Sequence, residues 1–333
     1  STKNATINVS ISVAGINIAS GYTGTITQAD GITVTVGSSN YVQADGTFTG
    51  GNSAITLNGT FTLTAGIFTA TSGTITSAGT SWTYTSGTFN TNNGTVLFSS
   101  TLTITGSHSL NNVTMGGSSS GRTITVASGT TLTVAGTFTF DGAFATTINT
   151  GTIAAQGNIV VADALSYTGT ATLLINGAGN QTFTSSATAT AGGLPNININ
   201  KPSGTLTLSG IIRTGSSWTY TAGTLDAITN DSTVVFLGVS TQTIAGSHTL
   251  DNVIIGGGTT SIITVASGTT LTVAGTLTFD GTGGGATINT GTIAAQGNIT
   301  VADAIPYTGT ATLLIDGAGN QTFTSSATAT AGG

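Results

Sequence analysis

His108 and His248 are the side chains that titrate nearest neutrality, and each stands in a Gly-Ser-His-Ser/Thr-Leu frame. A metal-ligating or proton-transferring imidazole needs companions, and no second His, no Cys and no Glu lies near either one in the sequence. A histidine whose ring nitrogens are satisfied within its own turn is the simpler reading. Among the acidic residues, Asp141 and Asp163 return as Asp280 and Asp303, whereas Asn111 returns as Asp251 and Asn176 as Asp316. Asp and Asn share turn-forming hydrogen bonds, but only the carboxylate brings charge to calcium, so these exchanges point to turns. The cations Lys3, Arg122, Lys201 and Arg213 are scattered, and the two arginines occupy no matching place in the repeated stretches. No catalytic, cofactor-binding or metal-binding residue is assigned, and the chain is not expected to be an enzyme.

Two further sets could bind rather than react. Trp82 and Tyr84 flank Thr83, and Trp218 and Tyr220 flank Thr219; flat aromatic faces of this kind stack on sugar rings when exposed and fill a core when they are not. Near the beginning, Ile7, Val9, Ile11, Val13, Ile16 and Ile18 alternate with small polar residues, a pattern that predicts a strand with one apolar face.

The composition says what must carry these residues. Charged residues make up 4% of the chain, with 4 Lys plus Arg against 10 acidic residues, all of them Asp, and there are 50 Gly. Disordered chains pair low hydropathy with high net charge, and a mean hydropathy of +0.32 with a net charge of −6 does the opposite. Thr, Val, Ile, Gly and Asn are poor helix formers, whereas the β-branched ones suit a pleated surface. An all-β protein follows. So few cations remove the electrostatic drive for nucleic acid or anionic lipid, and no apolar run is long enough for a membrane-spanning helix. The absence of Cys excludes disulfides. A start at Ser1 fits a secreted protein whose signal has been removed, and an extracellular or cell-surface location is expected.

Residues 81–193 are written out again as 217–333. Short runs alternating Thr with an apolar residue recur throughout, as in Thr60–Thr64, Thr101–Thr105 and Thr205–Leu208, punctuated mostly by single Gly or Ala-Gly steps. Such punctuation suits corners of a coil better than hairpins. The expected architecture is a parallel β-solenoid: 1–52 an N-terminal β segment, and 53–333 a coil with tandem repeats at 81–216 and 217–333. Rungs of roughly 20 residues give about seven per repeat and about 33 Å of added length at roughly 4.8 Å per rung. Matching residues drift in separation between Trp82/Trp218 and His108/His248, which places insertions in corners.

The stretches at 106–117 (GSHSLNNVTMGG), 126–140 (VASGTTLTVAGTFTF) and 151–161 (GTIAAQGNIVV) resemble the Thr/Gly-rich repeats of large microbial surface proteins of the filamentous-haemagglutinin and autotransporter-passenger kind. That resemblance implies a parallel β-helix. Residues 1–52 are similar in pattern to donor strands of extracellular pili. The expected function is an extracellular structural subunit that polymerises head to tail into a fibre, pilus or sheath, its partners being copies of itself, with the strand from Ile7 to Ile18 laid on the preceding subunit. Alternatives are an adhesin stalk or glycan-binding passenger, using Trp82, Tyr84, Trp218 and Tyr220, and an ice binder. The last requires Thr-X-Thr motifs in one file, against which their uneven spacing in sequence counts.

Overall fold

A computed structural model describes residues 3–238, 241–257, 261–281 and 285–328; the last residues of the repeated stretch, 329–333, lie outside them. Among the described residues there is no helix, and every strand-to-strand ladder is parallel. The chain is a parallel β-solenoid, divided into two compact units, Ser1–Asn158 and Ile159–Gly333.

In the first unit the chain makes three-sided turns. The opening turn is built from β1 (Ala5–Ile7), β2 (Ile11–Val13) and β3 (Ile16–Ile18), and the next from β4 (Thr25–Gln28), β5 (Val34–Val36) and β6 (Tyr41–Gln43). β1 lies on β4, β2 on β5 and β3 on β6. The run from Ile7 to Ile18, expected as a single strand, is therefore bent twice and forms a whole turn. Its small residues permit the bends: a Cβ added to Gly15 would lie 2.6 Å from the carbonyl oxygen of Ser39 in the turn beneath. Successive turns of this unit take from 17 residues (Thr95 to Asn112) to 25 (Ile16 to Tyr41).

Alternation sets the core. Val34 and Val36 are buried with Thr35 between them facing outward, and the pattern repeats at Ile55–Leu57 and Phe61–Leu63. Inside, Phe48, Phe68 and Phe89 stack in one column and Tyr41, Phe61 and Trp82 in another, with ring centroids 5.2 and 5.2 Å apart in the first and 5.4 and 4.1 Å in the second. Outside, Thr35, Thr56 and Thr76 align in register, Leu97 interrupts, and Thr114 and Thr139 continue. Uneven spacing in sequence thus does not prevent a file, because the extra residues sit in corners; the file is nevertheless broken at Leu97.

The second unit follows the same rules with longer strands, notably Asn196–Thr214 and Trp218–Asp226. Asparagines at corners bind one turn to the next in both units. Asn40 Oδ1 accepts from Thr60 N–H at 2.9 Å, Asn112 Oδ1 from Thr137 N–H at 2.9 Å, Asn252 Oδ1 from Thr276 N–H at 2.9 Å and Asn180 Oδ1 from Thr205 N–H at 3.0 Å. Each bond gives a corner amide a partner that the ladder itself does not supply.

Candidate functional site

The two histidines are clasped identically. Trp82 Nε1–H donates to His108 Nε2 at 2.9 Å, and Trp218 Nε1–H to His248 Nε2 at 3.0 Å. An indole only donates, so Nε2 is the acceptor and Nδ1 carries the proton; Nδ1 lies 2.7 Å from the carbonyl oxygen of Gly106 in one unit and of Gly246 in the other. Both glycines have positive φ, +86° and +80°, and a Cβ on either would strike the carbonyl oxygen of Tyr84 or Tyr220. Only glycine fits this corner. Burial lowers the pKa of both histidines, with the bond to the glycine carbonyl opposing it. The rings are neutral and fully bonded, which leaves no lone pair for a metal or a substrate proton. Among the described residues no three of His, Asp, Glu or Cys gather into a metal-holding group.

Trp82 and Trp218 are fully buried, and the imidazoles stack beneath them at 6.3 and 6.2 Å. Their faces are core, which removes them from the set expected to stack on glycans. Tyr84 and Tyr220 are half-buried; they stack on the same imidazoles at 5.1 and 5.3 Å, and their hydroxyls donate to the carbonyls of Gly87 and Gly223. The recurring acids Asp163 and Asp303 organise turns: each accepts a tyrosine hydroxyl, from Tyr167 at 2.7 Å and Tyr307 at 2.9 Å, and a backbone N–H two residues on.

Ile7, Val9, Ile11, Val13 and Ile16 are only partly covered, Val9 being 64% exposed, and Ile18 alone is buried. Among the described residues β1, β2 and β3 pair with β4, β5 and β6 alone.

The last described turn of the second unit is less covered than its copy earlier in that unit. Leu313, Leu314, Ile315 and Phe323 are 39, 43, 53 and 58% exposed, although Leu173, Ile175 and Phe183, which have the matching sequence, are wholly buried. The difference is a neighbouring turn. Leu173 and Ile175 lie against Ile197 and Ile199, and Phe183 against Leu208, whereas among the described residues Thr312–Ile315 pairs with Thr292–Ala295 alone, and Phe323–Ser325 with Ile299–Val301 alone. A cavity of about 250 Å³ opens here, lined by Phe279, Ile288, Ile293, Tyr307, Leu313 and Phe323 among others.

Sequence reasoning passed over Lys201. The residue is 2% exposed, and its ammonium donates to the carbonyls of Gly177 and Gly179 at 2.7 and 2.9 Å and to Gln181 Oε1 at 2.7 Å. Three neutral oxygens take its three protons, and burial lowers its pKa. The signal was available: a lone cation ends an Asn-Ile-Asn-Ile-Asn run that faces the interior at alternate positions.

No protein-family model, no curated protein and no solved structure matches the chain. The geometry offers a stack of parallel turns in which the apolar residues of one turn are covered by the next.

Proposed function

We propose that this protein is a structural coil of the extracellular surface that assembles by adding parallel turns at its edges, copies stacking head to tail in a fibre, pilus or sheath. The observation that carries this reading is that Leu173, Ile175 and Phe183 owe their burial to the parallel turn laid on them by Ile197, Ile199 and Leu208. A row of unpaired N–H and C=O groups next to uncovered apolar side chains is a template for another strand, and a parallel neighbour covers the matching residues 173–183 in this manner. A copy that adds a turn to the edge of another makes a heterologous contact, which propagates. The edge that β1–β3 offer is a three-sided turn, not one donated strand.

Removing residues 1–19, the obvious deletion, only uncovers the edge of β4–β6, so a charge on the acceptor edge is the sharper test. Electron micrographs of the purified chain should show continuous filaments, and L313K should leave separate rods, since it puts a charge at the inward position that the covering turn buries at Leu173. Separate rods for the unaltered chain at high concentration would remove the proposal.

A further inference from the structure

Nine Asn-X-Ser/Thr triplets occur in the chain, at Asn4, Asn8, Asn58, Asn93, Asn112, Asn180, Asn230, Asn298 and Asn320. This is the acceptor motif for N-linked saccharide, a bulky group that needs an asparagine at the surface. The structure sorts the six that lie between the outermost described turns. Four are pinned by their amides. Asn112 Oδ1 accepts from Thr137 N–H at 2.9 Å, Asn180 Oδ1 from Thr205 N–H at 3.0 Å and Asn298 Oδ1 from Thr322 N–H at 2.9 Å, while Asn230 Nδ2 donates to the carbonyl oxygen of Leu208 at 3.2 Å. Each of these amides fastens one turn to its neighbour, and the side chain must give up that bond to enter a transferase.

Asn58 and Asn93 are different. Both are exposed, and among the described residues neither side-chain amide has a hydrogen bond. Each precedes a glycine that lies against the turn beneath: a Cβ on Gly59 would sit 2.7 Å from the carbonyl oxygen of Gly37, and one on Gly94 2.1 Å from that of Thr71. The glycine belongs to the stack and the asparagine stands outside it. Asn93 is the second of two residues with positive φ, +47° for Asn92 and +56° for itself, in a tight turn closed by Gly94 N–H on Thr91 O at 3.0 Å. Within that turn Asn92 does the fastening, its Nδ2 donating to Ala70 O at 3.0 Å. In the second copy Asn230 takes the place of Asn92 and keeps the equivalent bond, and Asp231 takes the place of Asn93. The triplet there begins one residue earlier and falls on the pinned asparagine.

We propose that Asn58 and Asn93 carry N-linked saccharide. The proposal rests on the extracellular reading given above, and its co-reactants are a saccharide held on a lipid pyrophosphate and the transferase that uses it. Asn Nδ2 bonds to the anomeric carbon, the bond from that carbon to the phosphate oxygen breaks, the lipid pyrophosphate leaves with the electron pair, and Nδ2 gives up one proton. Thr60 and Thr95 supply the hydroxyl that completes each motif. Neither asparagine side chain holds a ladder or a corner, so the modification removes no hydrogen bond from the fold.

Folded protein is incubated with a purified oligosaccharyltransferase and a lipid-pyrophosphate-linked oligosaccharide, and glycopeptides are mapped by mass spectrometry. The peptides containing Asn58 and Asn93 should be modified, and N58Q and N93Q should each abolish one of them. Asn112, Asn180, Asn230 and Asn298 should take about tenfold less sugar in the folded chain, one hydrogen bond's worth, and become acceptors when the chain is unfolded. Equal modification of Asn58 and Asn112 in the folded chain would overturn the assignment. So would a folded chain that takes no sugar at Asn58 and Asn93 while the unfolded chain takes it there. Enzyme and donor are supplied, so either result leaves the extracellular and assembly readings to be decided separately.

Discussion

Residues 172–186 and 312–326 are the same sequence, apart from one exchange, placed in two surroundings. Leu173, Ile175 and Phe183 are inside; Leu313, Ile315 and Phe323 are more than a third exposed. Nothing in their own types or spacing distinguishes them, so burial in a solenoid is a property of the next turn. A repeat unit of this kind cannot complete its own core, and stability comes from nearest-neighbour contacts between turns.

That comparison can be broken most severely at the phenylalanines. F183A should destabilise the protein by about 3–5 kcal/mol, as removal of a fully enclosed ring does, whereas F323A should cost less than about 1 kcal/mol in separated chains; denaturant midpoints of the two variants measure the gap. Equal losses would mean that the edge at Phe323 is covered in solution. K201M comes next. It leaves Gly177 O and Gly179 O without their lysine donor and Gln181 Oε1 with the Gly177 N–H alone, at about 1–3 kcal/mol.

Acid offers a smaller effect shared by both units. Because burial holds His108 and His248 below their unfolded pKa, the unfolded chain takes up protons first as pH falls. Stability is full above about pH 6.5 and is lost below it, by about 1.4 kcal/mol per pH unit at each histidine until the folded ring itself titrates. A protonated Nε2 would face the Trp82 or Trp218 N–H donor to donor. Denaturant midpoints between pH 7 and pH 5 should fall in the unaltered protein and fall less in an H108Q/H248Q variant, where the amide cannot titrate. The smallest expected difference separates two asparagines: N180A loses the acceptor of Thr205 N–H and about 1 kcal/mol, while N320A is nearly neutral until a strand is added.

Much of this fold could be read from the residues. Alternating Thr and apolar positions with single glycines between them dictate short strands and corners, and the copied stretch dictates stacking, because a unit with one bare edge gains by covering it with another. The satisfied turn histidine was legible too, since His108 has no chemical company in sequence. Its partner was not: Trp82 comes 26 residues earlier, and only the length of a turn brings the indole onto the ring. The first strand was misread for a related reason. Ile7 to Ile18 alternates without a proline or a long loop, and a two-residue step through Ala14 and Gly15 suffices to turn a corner when the turn beneath leaves room for nothing larger than hydrogen. Lys201 escaped because a single cation reads as surface until its stem is seen to point inward among carbonyls.

The most direct measurement is amide hydrogen exchange at Leu313–Ile315 and Phe323–Ser325, set against Leu173–Ile175 and Phe183–Ser185 in the same sample across a dilution series. If turns are added at this edge, the later segments exchange quickly in dilute protein and become as protected as the earlier ones when it is concentrated. Protection of the later segments that stays low at every concentration would contradict the assembly reading.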